Sequence, residues 1–152
     1  MNGYTVMEEV RKARRRFIRQ AEHVDGLRIF GCGAIDYERM GRYGVRIDGG
    51  GMPGSEVESQ VLRLTEAEAE LEKAKDYYLK VLFERMDILN SIETLTTRQW
   101  LILWEYYIMD ADSYESAGRR VGVSNGWKCF DNAMRKVDEY LKDHEELWQV
   151  SA

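Results

Sequence analysis

Glycine is segregated in this chain. Nine of the thirteen glycines fall between Gly26 and Gly54, and they end in the run Gly49-Gly50-Gly51-Met52-Pro53-Gly54 around the only proline. Each glycine costs a helix about 1 kcal/mol relative to alanine, so no helix is expected to run through that density. The segment therefore parts the sequence into a basic N-terminal helix (1–25), a glycine-rich loop (26–54), a long acidic amphipathic helix (55–93) and a compact C-terminal domain (94–152). Short strands are expected inside the loop at Leu27–Phe30 and Tyr43–Ile47.

The helical segments differ in texture. Thr5 to Val24 carries Val6, Val10, Phe17, Ile18, Ala21 and Val24 near one side and arginines on the other. Beyond the loop, Ser55 and Glu58 have the spacing of a capping box. Val57, Val61, Leu64, Leu71, Ala74, Tyr78, Leu82, Leu89 and Ile92 then recur at helical steps, with a seam of coiled-coil character broken by Glu68 and Lys75. Such a stripe needs a cover. Either the first helix supplies it as an antiparallel hairpin, or a second copy does as a homo-oligomer. Charged residues make up 32% of the 152 residues, above the roughly 25% of an average soluble domain, which favours long solvated helices over a compact enzyme.

Charge is unevenly spread around a net of -5. Arg11 to Gln20 holds six basic residues and no acid, Ser55 to Glu93 is strongly acidic, and Ser113 to Lys142 is mildly basic. The arginines of the first helix have two uses open to them, pairing with the acidic helix or gripping a phosphate backbone.

From Leu95 the sequence becomes aromatic. Thr96 is expected to cap a helix through about Met109 presenting Trp100, Leu103, Trp104 and Tyr107. Asp110-Ala111-Asp112 make a turn, and Ser113 caps a helix from Tyr114 to Val121. Gly122 supplies the positive φ that ends it, a buried Val123 pins the turn, and Ser124 caps a last helix through Leu141 or further. Two short helices joined by Gly-Val-Ser, with the small Gly118 where they must cross, have the layout of a helix-turn-helix. Ala117, Val121, Phe130, Ala133, Met134, Val137 and Leu141 would form the core beneath. The opposite side would offer Asn125, Lys128, Asp131, Asn132 and Arg135 to a major groove, with Arg119 and Arg120 beside it for phosphates.

Leu95-Thr-Thr-Arg-Gln-Trp-Leu-Ile-Leu-Trp104, Ser113-Tyr-Glu-Ser-Ala-Gly118, Gly122-Val-Ser124 and Lys128-Cys-Phe-Asp-Asn-Ala-Met-Arg-Lys-Val137 together resemble region four of bacterial sigma factors. With the long acidic helix before it, the chain is similar to the sigma-like regulators of phages and prophages of Gram-positive bacteria, the ArpU and RinA type of late-gene activators. The resemblance implies a regulator that binds double-stranded DNA in the cytoplasm of a bacterial host, with RNA polymerase as a candidate second partner. It carries the DNA-reading role to Ser124, Asn125, Lys128, Asn132 and Arg135. Where the sigma pattern sets apolar residues four and seven after the turn serine, this chain has Lys128 and Asp131, and Trp127 and Phe130 fall one earlier. The turn is thus one residue shorter or the last helix is rotated.

Other chemistries find little footing. Gly49 to Ser55 spaces glycines like a phosphate loop but lacks its lysine. Gly31-Cys-Gly33 has Asp36 where a dinucleotide fingerprint needs its third glycine. His23, Cys32, Cys129 and His144 have no metal-ligand spacing, so neither metal nor cofactor is expected. No nucleophile, base and orienting group come together in the pattern, so catalysis is not expected. The longest apolar run, Trp100 to Trp104, is far short of the roughly 20 residues of a membrane span. The sequence thus reads as an all-α, cytoplasmic protein, with a helical hairpin or coiled-coil-like N-terminal region and a C-terminal trihelical helix-turn-helix domain. A protein-interaction module or a phage DNA-packaging component of small-terminase type are the alternatives.

Overall fold

A computed structural model describes residues 2–30 and 53–145. Every regular element among them is helical: α1 (Gly3–Phe30), α2 (Pro53–Ser91), α3 (Thr97–Leu103), a π-helical turn (Trp104–Ile108), α4 (Tyr114–Val121) and α5 (Gly126–Asp143). The all-α class expected from the sequence is the observed one. None of these helices is long and apolar enough to cross a membrane. Tyr43–Ile47, Gly31-Cys32-Gly33 and the triple glycine lie outside the described residues.

Several boundaries differ from expectation. Helix α1 begins at Gly3, where the Asn2 Oδ1 accepts the Thr5 N–H at 2.9 Å as a cap. It also continues past Gly26 to Phe30, so Leu27–Phe30 is helix rather than strand. One glycine costs only about 1 kcal/mol, which the surrounding helix absorbs. Helix α2 starts at Pro53, so Ser55 lies in its first turn instead of capping it. A proline there forfeits only an N–H that the helix start leaves without a partner in any case.

The chain forms two compact units, Met1–Arg14 with Tyr77–Ala152, and Arg15–Asp76. In the first, one cluster joins Val6 and Met7 of α1, Ile88, Leu89 and Ile92 around the end of α2, and Ile102, Leu103, Tyr107, Ala117, Phe130, Ala133, Met134, Val137 and Leu141. A satellite cluster holds Val10, Val81 and Ile108, with Trp104 against it. Helices α1 and α2 meet here through Arg85 Nε donating to the Val6 carbonyl at 3.0 Å and Tyr77 Oη donating to Glu9 at 2.6 Å. In the second unit the same two helices touch through Gln20 Nε2 on the Ala67 carbonyl at 3.2 Å and an exposed Arg28–Glu68 pair at 2.9 Å.

The buried seam of α2 is Ala67, Ala74, Val81 and Ile88, seven apart, followed by Leu89 and Ile92. Val57 and Val61, assigned to the stripe from their spacing, are exposed. Ala74 belongs to the expected stripe and is buried, whereas buried Ala67 is not part of it.

Candidate nucleic-acid interface

The C-terminal helices are assembled from strong local signals. Thr96 and Gln99 form a reciprocal capping box at the start of α3: Thr96 Oγ1 accepts the Gln99 N–H at 3.2 Å, and Gln99 Oε1 accepts the Thr96 N–H at 3.1 Å. The Lys136 ammonium of α5 donates to that same Gln99 oxygen at 2.7 Å and to the Thr94 carbonyl at 2.5 Å. Lys136 is thereby drawn to the flank of α5.

The helix expected to run from Thr96 to Met109 is α-helical only to Leu103. Trp104–Ile108 widens into a π-helical turn, with the Met109 N–H on the Trp104 carbonyl at 3.0 Å. The wider turn sets Tyr107 into the cluster around Phe130 and Ile108 into the cluster with Val10 and Val81. Trp100 and Trp104 stack at 5.2 Å between ring centroids, both half-buried.

The turn that follows is held from the N-terminal helix. Arg11, 6% exposed, places Nε 2.8 Å from Asp110 Oδ1, donates to the Ala111 carbonyl at 3.3 Å and lies 4.2 Å from the centroid of the Tyr106 ring. Asp110 adopts φ +55°, a left-handed conformation that aspartate tolerates better than most residues. Of the two uses open to the N-terminal arginines, Arg11 thus takes neither. It fastens the turn between the π-helical segment and α4.

Ser113 caps α4 as expected, accepting the Ser116 N–H at 3.0 Å, and Gly122 ends it at φ +82°. The Val123 N–H on the Gly118 carbonyl at 2.8 Å completes a Schellman closure. Val123 itself is only half-buried, so backbone bonds and not its side chain fix the turn. Helix α5 is capped one residue later than expected: Asn125 Oδ1, not Ser124, accepts the Lys128 N–H at 3.1 Å. Phe130 is buried and stacks on Tyr114 at 4.2 Å, while Trp127 points outward.

Two glycines set the crossing of α4 and α5. A Cβ on Gly118 would stand 2.6 Å from Gly126 Cα, and one on Gly126 would stand 2.4 Å from the Tyr114 carbonyl oxygen. Gly126, which reads from sequence as a weak spot in a helix start, is what permits the close approach. The cluster beneath contains all the expected core residues; Val121 is packed at its edge and the others are buried. Burial pushes the Tyr107 hydroxyl far above the usual tyrosine range, and burial with a hydrogen bond to Tyr106 pushes Tyr114 up to about 12.

Away from that core, α5 presents Lys128 and Arg135 exposed and Asn132 half-buried, with Ser124 and Asn125 exposed just before the helix. The amide oxygen of Asn125 is engaged as the cap. Arg135 pairs with Asp131 at 3.1 Å and Arg120 with Glu105 at 3.3 Å, both of these arginines mostly exposed, while Arg119 is exposed beside them on α4. Tyr4 of α1 flanks the helix, 6.1 Å from the Phe130 ring, and burial with the nearby Asp131 carboxylate raises the pKa of its hydroxyl. On the other flank, the Arg98 charge opposes the burial that raises the Cys129 thiol. Arg98 adds a cation beside the first turn of α5 that the sequence reading did not include. Its position in the first turn of α3, after the Thr96 cap, was the available signal. Among the described residues no group of three or more His, Cys, Asp or Glu side chains is placed to hold a metal.

No protein-family model matches the chain, and neither a curated protein nor a solved structure does.

Proposed function

We propose that the chain is a DNA-binding transcriptional regulator of the phage and prophage type, with α4 and α5 acting as a helix-turn-helix that lays α5 in a major groove. The observation that carries this reading is the glycine-to-glycine crossing of α4 and α5. It holds α5 with its apolar side inward and Lys128, Asn132 and Arg135 outward. Lys128, Arg135, Arg119, Arg120 and Arg98 then meet phosphates, and Asn132 reads a base edge, where asparagine suits adenine. Asn125, its oxygen committed to the helix cap, serves mainly to orient the first turn, and Ser124 lies within reach of the backbone. RNA polymerase is a second partner in this proposal, and exposed Val57 and Val61 of α2 are the surface for self-association.

The test is binding of the full chain to a pool of randomised duplexes, beside the Lys128→Glu/Arg135→Glu double variant. Enrichment of one motif by the wild type, its loss in the variant and an affinity falling linearly in log-log form with salt are the expected results. A wild type that enriches nothing sinks the reading.

A specific observation favours a second reading, a protein-interaction module. Two of the cations on this face, Arg120 and Arg135, are already paired within the chain, which lowers the charge offered to phosphate. Partner capture that survives the double charge reversal would support it.

A further inference from the structure

The two charges that interrupt the apolar spacing of α2 have an order of their own. Val61, Glu68, Lys75 and Leu82 stand seven apart on a single helix that runs from Pro53 to Ser91, so they share one side of it. The last three each follow a residue of the buried seam, which puts that side about 100° round the helix from it. Folding leaves it incompletely covered. Val61 is 49% exposed and Val57, one turn before it, is 52% exposed. Glu68 and Lys75 are exposed, and Leu82 and Met86 are only half-buried. Phe83, 60% exposed, borders the stripe.

The order of the charges says what covers this side. Val57, Val61, Leu64 and Glu68 are followed by Lys75, Leu79, Leu82 and Met86, and the steps between them, four, three, four, seven, four, three and four, are the same from either end. Only the sign of the central charge changes on reversal. A second copy of α2 laid antiparallel, with a two-fold axis between Leu71 and Glu72, therefore sets Glu68 of each copy against Lys75 of the other and Leu64 against Leu79. Further out, Val61 meets Leu82 and Val57 meets Met86. Every contact occurs twice, as an isologous interface requires. Leu71 and Glu72 fall on the two edges of the stripe at its middle. A parallel pair would instead oppose Glu68 to Glu68 and Lys75 to Lys75, and like charges juxtaposed across an interface work against association. The stripe extends over roughly four heptads, or about 44 Å, enough for a coiled-coil contact.

We infer that the chain forms a two-fold dimer through antiparallel pairing of α2, with its register set by Glu68 of each copy meeting Lys75 of the other. The inference rests on the self-association assigned to α2 above, to which it gives an orientation and a register, and not on DNA binding.

The experiment is sedimentation equilibrium of the full chain as wild type, as Lys75→Glu, as Glu68→Lys and as the double exchange Glu68→Lys/Lys75→Glu. The wild type should be a dimer. Lys75→Glu should weaken it about tenfold, because two attractions become two repulsions. Glu68→Lys should act in the same direction, although it also removes the exposed pair with Arg28, so Lys75→Glu is the cleaner variant. The double exchange restores opposite charges and should return the dimer to within about twofold of the wild type. An equimolar mixture of the two single variants should associate more tightly than either alone. Helix content by circular dichroism should be the same in all four, since both positions are exposed. A wild type that remains monomeric overturns the inference together with the self-association of α2. A dimer indifferent to Lys75→Glu, or a double exchange as weak as the single variants, overturns the antiparallel register and leaves self-association standing.

Discussion

In the unit built from Met1–Arg14 and Tyr77–Ala152, aromatic and branched side chains from each of its helices close around Phe130, whereas among the described residues of the unit Arg15–Asp76 the buried ones are Val24, Ala67 and Ala74. The ion pairs differ in the same direction. Arg11 is sunk against Asp110, Ala111 and Tyr106, while Arg28 and Glu68 meet in solvent. Apolar burial stabilises by about 25 cal/mol per Å², and alanine has little to bury, so the two units must resist opening to different extents. The one that carries the candidate interface has the larger apolar core. Under the DNA-binding proposal such a core would hold α5 in register while its outer face stays polar.

The largest expected effect comes from the sunken arginine. Arg11→Ala removes the nearer of two arginine partners of the half-buried, left-handed Asp110, the other being Arg14 at 3.8 Å, and leaves the Ala111 carbonyl without its donor. Breaking a buried pair in this way costs about 3 kcal/mol. Arg28→Ala in the other unit should cost between about 0 and 1 kcal/mol, as exposed pairs do. Urea unfolding of the two variants side by side checks the contrast. Equal losses would show that the two pairs stand in equivalent surroundings.

Next in size is Gly126→Ala. The added methyl meets the Tyr114 carbonyl oxygen, a backbone atom with no freedom to step aside, so α5 must shift. Overpacking of this sort costs roughly 2 kcal/mol. Lysine at position 128 is untouched, yet sequence-selective binding to duplex DNA should fall with the shift. In an ordinary helix the same substitution would stabilise by up to about 1 kcal/mol, so the sign of the change in unfolding midpoint is enough to decide.

How much of this was visible beforehand depends on the range of the signal. Ser113, Gly122 and Thr96 act within four residues of themselves, and each does what its type implies. The core face of α5 follows from periodicity and is correct from Phe130 to Leu141. Failures occur where a distant contact decides. Serine at 124 and asparagine at 125 are both good caps, and only the packing of Gly126 on Tyr114 selects the later one. The π-helical turn depends on Tyr107 and Ile108 serving two clusters at once, which no local pattern encodes. Arg11 looked like one of six equivalent cations, because burial beside Asp110 spans almost a hundred residues of sequence. In α2 the periodicity rightly includes Ala74 but passes over buried Ala67 and takes the exposed Val57 and Val61 for core.

The smallest core effect tests the Arg15–Asp76 unit directly. Val24 is fully buried, and Val24→Ala removes two methyl groups there, at about 1.5 kcal/mol by the transfer value. If the two units open separately, that loss should appear as faster amide exchange along α1 beyond Arg15 and along α2 before Tyr77, with the slowest amides of α5 unchanged. If instead α5 exchanges faster by the same factor, the chain opens only as a whole. The thin seam of alanines would then share the stability of the aromatic cluster, and the contrast between the units would be one of composition without a difference in free energy.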